Sequence, residues 1–137
     1  VADEPVSALD LSVQAQVLNF MKKIQKEFNI SYLFISHDLG VVKHMCDYIY
    51  IMYRGRIVER GTRNDIYNNP QHIYTKRLIA AIPSTNLDKA KEVIKVRKAV
   101  EKEYEENYND YFDKEGRVYP LKRLTDTHYV AMKGGEV

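Results

Sequence analysis

Residues 30–35 read Ile-Ser-Tyr-Leu-Phe-Ile. A six-residue run this apolar and this rich in β-forming side chains suits a strand covered on both faces, as the strands of a parallel sheet are. The segment before it has a different period. Val13, Val17, Met21, Ile24 and Phe28 recur at spacings of three and four, which predicts a helix from Ser12 to Phe28. Asp10 or Ser12 is placed to cap it and Asn29 to stop it. A helix feeding such a strand points to an α/β fold with a few parallel strands.

The rest of the first 83 residues continues in short elements. Ser36-His37-Asp38 reads as a loop, with Asp38 capping a short helix to about Met45. Asp47–Tyr53 (DYIYIMY) and Arg56–Glu59 (RIVE) flank Arg54-Gly55 and predict a β-hairpin that Gly61 closes. Thr62 is the expected cap of a short helix to Tyr67, Asn68-Asn69-Pro70 breaks the chain, and Tyr74–Ile82 is helical up to Pro83-Ser84. Composition shifts there, which predicts two regions, 1–83 and 84–137. From Ser84 onward acids and bases balance at 11 each. A charged helix is expected from Leu87 to about Asn107, with Val93, Val96, Val100 and Tyr104 on one stripe, so the extension is read as helical. Tyr104–Tyr119 is rich in tyrosine and acids, and reads as a partly exposed element whose rings cover a small hydrophobic surface. It is no calcium loop: the position two before Asp113 is Tyr111, and the closing acid would fall on Lys122.

Composition excludes several function classes. The chain has 137 residues, 45% of them hydrophobic and 29% charged, which suits one ordinary globular domain. A net charge of +2 gives no electrostatic case for binding nucleic acid or an anionic membrane. One cysteine, Cys46, excludes an internal disulfide framework and any cysteine-only metal site. No apolar stretch is long enough to span a bilayer, so no membrane insertion is expected.

Four groups of residues carry possible chemistry. Asp3 and Glu4 are adjacent carboxylates, and at the carboxyl end of a parallel strand both can reach one ligand. One can hold magnesium through water and the next can deprotonate a water; the plain alternative is a turn acid beside a surface acid. His37 alone is more often structural than functional. Arg54, Arg56, Arg60 and Arg63 surround the hairpin; they could bind phosphate, but hairpin turns are commonly basic and the cluster reads as solvated. His44 and Cys46 lack further ligands nearby, and Cys46 reads as a small core residue.

Context sharpens the first and second of these. Residues 3–10, DEPVSALD, resemble the Walker B end and D-loop of ATP-binding-cassette (ABC) ATPases. Residues 35–38, ISHD, resemble their switch-histidine loop, and YIYIMYRGRIVERGT is similar to the hairpin that follows it. Asn69–Ser84, NPQHIYTKRLIAAIPS, resembles the segment after the nucleotide-binding core in oligopeptide and dipeptide importer ATPases. The resemblance is strong over about residues 1–84 and loose beyond.

That resemblance implies roles. Asp3 would help position Mg2+ at the β- and γ-phosphates of ATP. Glu4 would be the general base or would orient the attacking water. His37 would contact the γ-phosphate. Ser7 and Asp10 would lie in the D-loop, running along a second ABC ATPase subunit, identical or different. It also implies transmembrane permease partners, a peripheral position on the cytoplasmic face of the cell membrane, and ATP hydrolysis powering oligopeptide import. An ABC ATPase for another substrate such as nickel, and a non-catalytic docking module built on Tyr104–Val137, stay open as alternatives. The 137 residues contain six glycines, none in a G-x-x-x-x-G-K-[ST] P-loop, and no LSGGQ-like signature. The expectation is therefore the carboxyl-terminal part of a longer P-loop NTPase, entered inside the Walker B strand and inactive alone.

Overall fold

The computed structural model describes residues 1–83 and 90–136. It divides into two compact units, Val1–Cys46 and Asp47–Val137.

The first unit is β1 (Ala2–Asp3), α1 (Leu11–Phe28), β2 (Phe34–Ile35) and α2 (Leu39–Met45). β1 and β2 pair in parallel, Ala2 against Phe34 and Asp3 against Ile35, with α1 as the crossover. α1 starts at Leu11 because Asp10 caps it, its carboxylate accepting the Val13 amide at 3.0 Å. It stops at Asn29, which takes the left-handed conformation, φ 50°. Val6, Leu18, Val41 and Met45 form the core, with Val17, Met21, Phe34 and Cys46 packed against it. Cys46 is thus the small packing residue its position suggests. The apolar run 30–35 departs from expectation. Only Phe34–Ile35 is strand, because a ladder reaches no further than its neighbour, and β1 offers two residues. Nor is the run covered on both faces: Leu33 is 62% and Ile35 47% exposed.

The second unit contains β3 (Tyr48–Tyr53), β4 (Arg56–Thr62), α3 (Arg63–Asn68), α4 (Ile73–Ala81), α5 (Ala90–Glu106), α6 (Tyr108–Tyr111), β5 (Leu121–Arg123) and β6 (Tyr129–Ala131). The hairpin forms as the sequence predicts. Arg54 and Gly55 both have positive φ, 46° and 76°, which a two-residue turn matched to strand twist requires. β4 runs beyond the expected Glu59 to Thr62, so Gly61 lies inside the strand opposite Ile49 and does not close it. Glycine is needed there because a Cβ would come within 2.8 Å of the Asp65 Cβ. Thr62 and Asp65 form a reciprocal capping box that starts α3. The expected start of the charged helix at Leu87 lies outside the described residues.

The carboxyl-terminal extension is helical only in part. After α6 it returns as β5 and β6, giving an antiparallel sheet ordered β3-β4-β6-β5. Both strands are three residues long, too short for alternation to announce them. α5 lies against α4 through the ion pairs Lys76–Glu103 and Arg77–Glu101, and Arg97 donates to the carbonyls of Ala80 and Ala81 at the end of α4. The tyrosine-rich segment behaves as read. Tyr104, Tyr108, Tyr53 and His72 surround Phe112, which is wholly buried.

Glu59, also wholly buried, binds this unit together. Its carboxylate accepts the amides of Gln71 at 2.8 Å and His72 at 3.0 Å, and meets His128 Nε2 at 2.6 Å. Glu59→Ala is expected to destabilise the second unit by about 3–5 kcal/mol, the cost of leaving a buried partner unpaired. An unmoved urea midpoint in the variant would show that the strand and helix junction does not rest on this carboxylate.

His72 supplies a second prediction. Its Nδ1 accepts the Tyr74 amide at 3.1 Å and its ring is fully enclosed, so burial lowers its pKa from 6.5 to about 3. Above about pH 6.5 the ring is neutral whether the chain is folded or not. Below that the unfolded chain takes up a proton that the folded chain refuses, so stability falls steadily down to about pH 3. The expected loss is on the order of 5 kcal/mol. Urea unfolding followed across this range should show that slope, and His72→Phe should flatten it. Equal slopes in both proteins would overturn the assignment.

Candidate functional site

The carboxyl ends of β1 and β2 lie side by side, and two of the residues singled out in the sequence meet there. Glu4 is the first residue beyond β1. Its amide donates to Ile35 O at 2.8 Å, continuing the ladder by one bond. Its φ of 46° then turns the chain sharply, a conformation that is costly for a residue with a side chain. The turn is held by Ser7, whose amide and hydroxyl both donate to Glu4 O, at 3.3 and 3.1 Å. Gln14 reaches back from α1 and donates to Val6 O and Leu9 O at 2.9 and 3.1 Å, fixing the loop.

The Glu4 side chain bridges the two strand ends. Oε1 accepts the His37 backbone amide at 3.0 Å and lies 2.8 Å from His37 Nδ1. The His37 side chain is 81% exposed and that of Glu4 36%. The Glu4 hydrogen bond, and after it the Glu4 charge, raises the pKa of His37 above its ordinary 6.5. Asp38, next in sequence, caps α2: its Oδ1 accepts the amides of Gly40 and Val41 at 2.8 and 3.2 Å. His37 is thereby held between a strand end and a helix start.

Asp3 closes β1 opposite Ile35 with its side chain exposed, and it takes part in no hydrogen bond or ion pair among the described residues. Asp10 is not drawn to Glu4 and His37. Its carboxylate is committed to α1, and the Val13 amide, then the Ser12 hydroxyl, hold its pKa below the usual 3.8. Among the described residues no group of three or more His, Cys, Asp or Glu side chains is arranged to hold a metal ion. A single exposed carboxylate suits only a cation that keeps most of its water, and magnesium is such a cation.

Sequence reasoning missed Gln14, which anchors the loop, and Ser36, whose hydroxyl accepts the Asp38 amide at 3.0 Å. An uncharged amide on the first turn of an amphipathic helix is the only signal Gln14 gives. Among the described residues no helix is long and apolar enough to cross a membrane.

Residues 58–110 match a family profile described as "Oligopeptide/dipeptide transporter, C-terminal region". Across 99% of the chain the sequence is 61% identical to the oligopeptide transport ATP-binding protein OppF of Lactococcus lactis subsp. lactis, of which it spans 43%. It is 56% identical over 96 residues, 70% of the chain, to the dipeptide transport ATP-binding protein DppF of Escherichia coli, of which the match covers 29%. It is 53% identical over 85 residues, 62% of the chain, to the oligopeptide transport ATP-binding protein AppF of Bacillus subtilis, and there the match covers 26%. By these matches the chain is of the ABC ATP-binding class. Within that class it belongs to the oligopeptide/dipeptide transporter family. The chain spans less than half the length of the curated relatives it matches.

His37 is expected to titrate above 6.5 in proton or nitrogen NMR, and Glu4→Gln should bring its midpoint down. The protonated pair is fully present below about pH 6.5 and is lost as pH rises through the raised folded value. Identical midpoints in the two proteins would show that the 2.8 Å contact carries no charge interaction.

Proposed function

We propose that this chain supplies the Walker B end, the D-loop and the switch histidine of an ATPase subunit that powers the import of oligopeptides. The pairing of Glu4 with His37 at the carboxyl ends of two parallel strands carries the reading. Sheets of this kind bind ligands at that edge, and phosphoryl transfer needs positioning and charge neutralisation there. The fold is that of a P-loop NTPase, of which residues 1–83 form the later part and 84–137 an extension.

In this reading each atom has a distinct task. Glu4 Oε1 is occupied by the His37 amide and ring, so Oε2 is the oxygen that takes the proton of the attacking water. With Nδ1 on the carboxylate, His37 turns Nε2 outward. That nitrogen donates a hydrogen bond to a γ-phosphate oxygen only when the ring is protonated, and the raised pKa favours that form. Asp3 would hold Mg2+ through water, and the ion would neutralise charge on the phosphates. Ser7 keeps Glu4 turned, and the loop from Ser7 to Asp10 faces a second ATPase subunit. Permease subunits would carry the peptides, with the ATPase bound to them on the cytoplasmic face of the cell membrane.

Two measurements test the proposal. The chain alone, lacking a phosphate cradle, should show no saturable amide shifts with Mg-ATP below about 1 mM. Joined to the preceding part of the Lactococcus relative, it should hydrolyse ATP, and Glu4→Gln should cut the rate by about 10²–10⁴-fold with nucleotide affinity retained. A folded, nucleotide-binding chimera whose rate ignores Glu4→Gln would overturn the catalytic assignment.

A further inference from the structure

Beside the hairpin turn the second unit opens a cleft of about 490 Å³. Its walls come from two distant stretches, Tyr53–Arg56 on the turn and 113–120 in the extension. The volume is in the range that small organic ligands occupy.

Three guanidinium groups and two carboxylates line it. One arginine consumes both acids. Arg117 Nε donates to Asp113 Oδ2 at 2.7 Å, and its terminal nitrogen donates to Glu115 Oε2 at 2.7 Å. Asp113 is further committed through Oδ1, which accepts the amides of Glu115 and Arg117 at 2.9 and 2.8 Å. Arg54 and Arg56 have no carboxylate partner among the described residues. Arg54 is also held: its residue forms the turn at φ 46°, and its guanidinium lies 5.3 Å from the centroid of the Tyr53 ring. The charge left over in the cleft is therefore positive and sits at its hairpin side. Tyr53, Val118, Tyr119 and Pro120 add apolar wall.

We propose that this cleft binds a small organic oxyanion, a carboxylate or phosphate group on a compact aromatic or apolar body. Arg54 and Arg56 take the anion as forked donors, and the tyrosine rings take the body. Arg117 is the positioning residue, because by tying up Asp113 and Glu115 it keeps two acids from competing for the arginines. The site belongs to the second unit and does not depend on the roles of Glu4 and His37.

The test is titration of the isotopically labelled chain with benzoate, phenyl phosphate, acetate and inorganic phosphate, at ionic strength held constant with chloride. Backbone amides and arginine Nε–H signals are followed by NMR. Saturable shifts confined to Tyr53–Arg56 and Asp113–Tyr119 are expected, with the aromatic anions about tenfold tighter than acetate or phosphate. Arg54→Ala and Arg56→Ala should each weaken binding by about tenfold with the remaining spectrum unchanged, while Arg63→Ala leaves it intact. Preference for phenyl phosphate over benzoate points to a phosphorylated ligand, and the reverse to a carboxylate; either supports the site. Shifts reproduced by chloride alone, or shifts that survive both arginine substitutions, would overturn it.

Discussion

A fully buried carboxylate must be satisfied on every side, and in the second unit that demand organises the chain around Glu59. Two of its partners are the backbone amides just before α4, so the carboxylate fixes where that helix begins. Its third partner is His128, immediately before β6. A strand, a helix start and the carboxyl-terminal strand pair are thereby fastened to one group. Phe112 then fills the space between α4, α5 and the hairpin, with His72 against one edge of its ring. The extension is thus continuous with the hairpin sheet through β6 and is no appended tail.

The first unit uses the same chemistry in the opposite regime. Glu4 and His37 also form a carboxylate–imidazole contact, and the distances are similar, 2.8 Å against 2.6 Å for Glu59 and His128. The surroundings differ. Glu59 and His128 are closed off, whereas His37 stands in solvent. An enclosed pair cannot exchange partners without paying desolvation, so it serves as a fastening. An exposed pair is screened and worth little to stability, so its partners can be traded.

The sequence shows local structure well where one residue decides it. Asp10, Asp38 and Thr62 cap helices at the positions their side chains allow, Asn29 stops α1, and Arg54-Gly55 makes the turn. It shows less where a partner decides. The 30–35 run has the composition of a buried strand, yet its strand length follows β1, and Ile30, Leu33 and Ile35 stay exposed in this unit while Phe34 packs on the core. β5 and β6 are strands because β4 continues past Glu59 and offers β6 an edge, a fact that no window around Leu121 or Tyr129 contains. The candidate site divides in the same way. Glu4 and His37 were legible from motif context, and their hydrogen bond is what the parallel pairing adds. Asp10 sits in the same motif, but its geometry ties it to α1. Glu59, His72 and His128 give no joint signal, because 69 residues separate the first from the last and each alone reads as an ordinary polar position.

The contrast between the two pairs bears on how the proposed site would work. A group that reports the presence of a γ-phosphate must hold one arrangement without it and gain a contact with it. His37 meets the first requirement through two bonds to one oxygen of Glu4, from its amide and from Nδ1. The second follows from what those bonds leave over. While the ring stays on Glu4, Nε2 points away from the carboxylate, and the same carboxylate that orients the ring also favours the proton that makes Nε2 a donor. A phosphate arriving at that nitrogen would add a second anion to an imidazolium already paired, strengthening its hold on the proton. Glu4 Oε2 would stay available for the water. In the proposed site one carboxylate would serve as base through one oxygen and as the histidine's support through the other, and the strained turn is what puts it between the two strand ends.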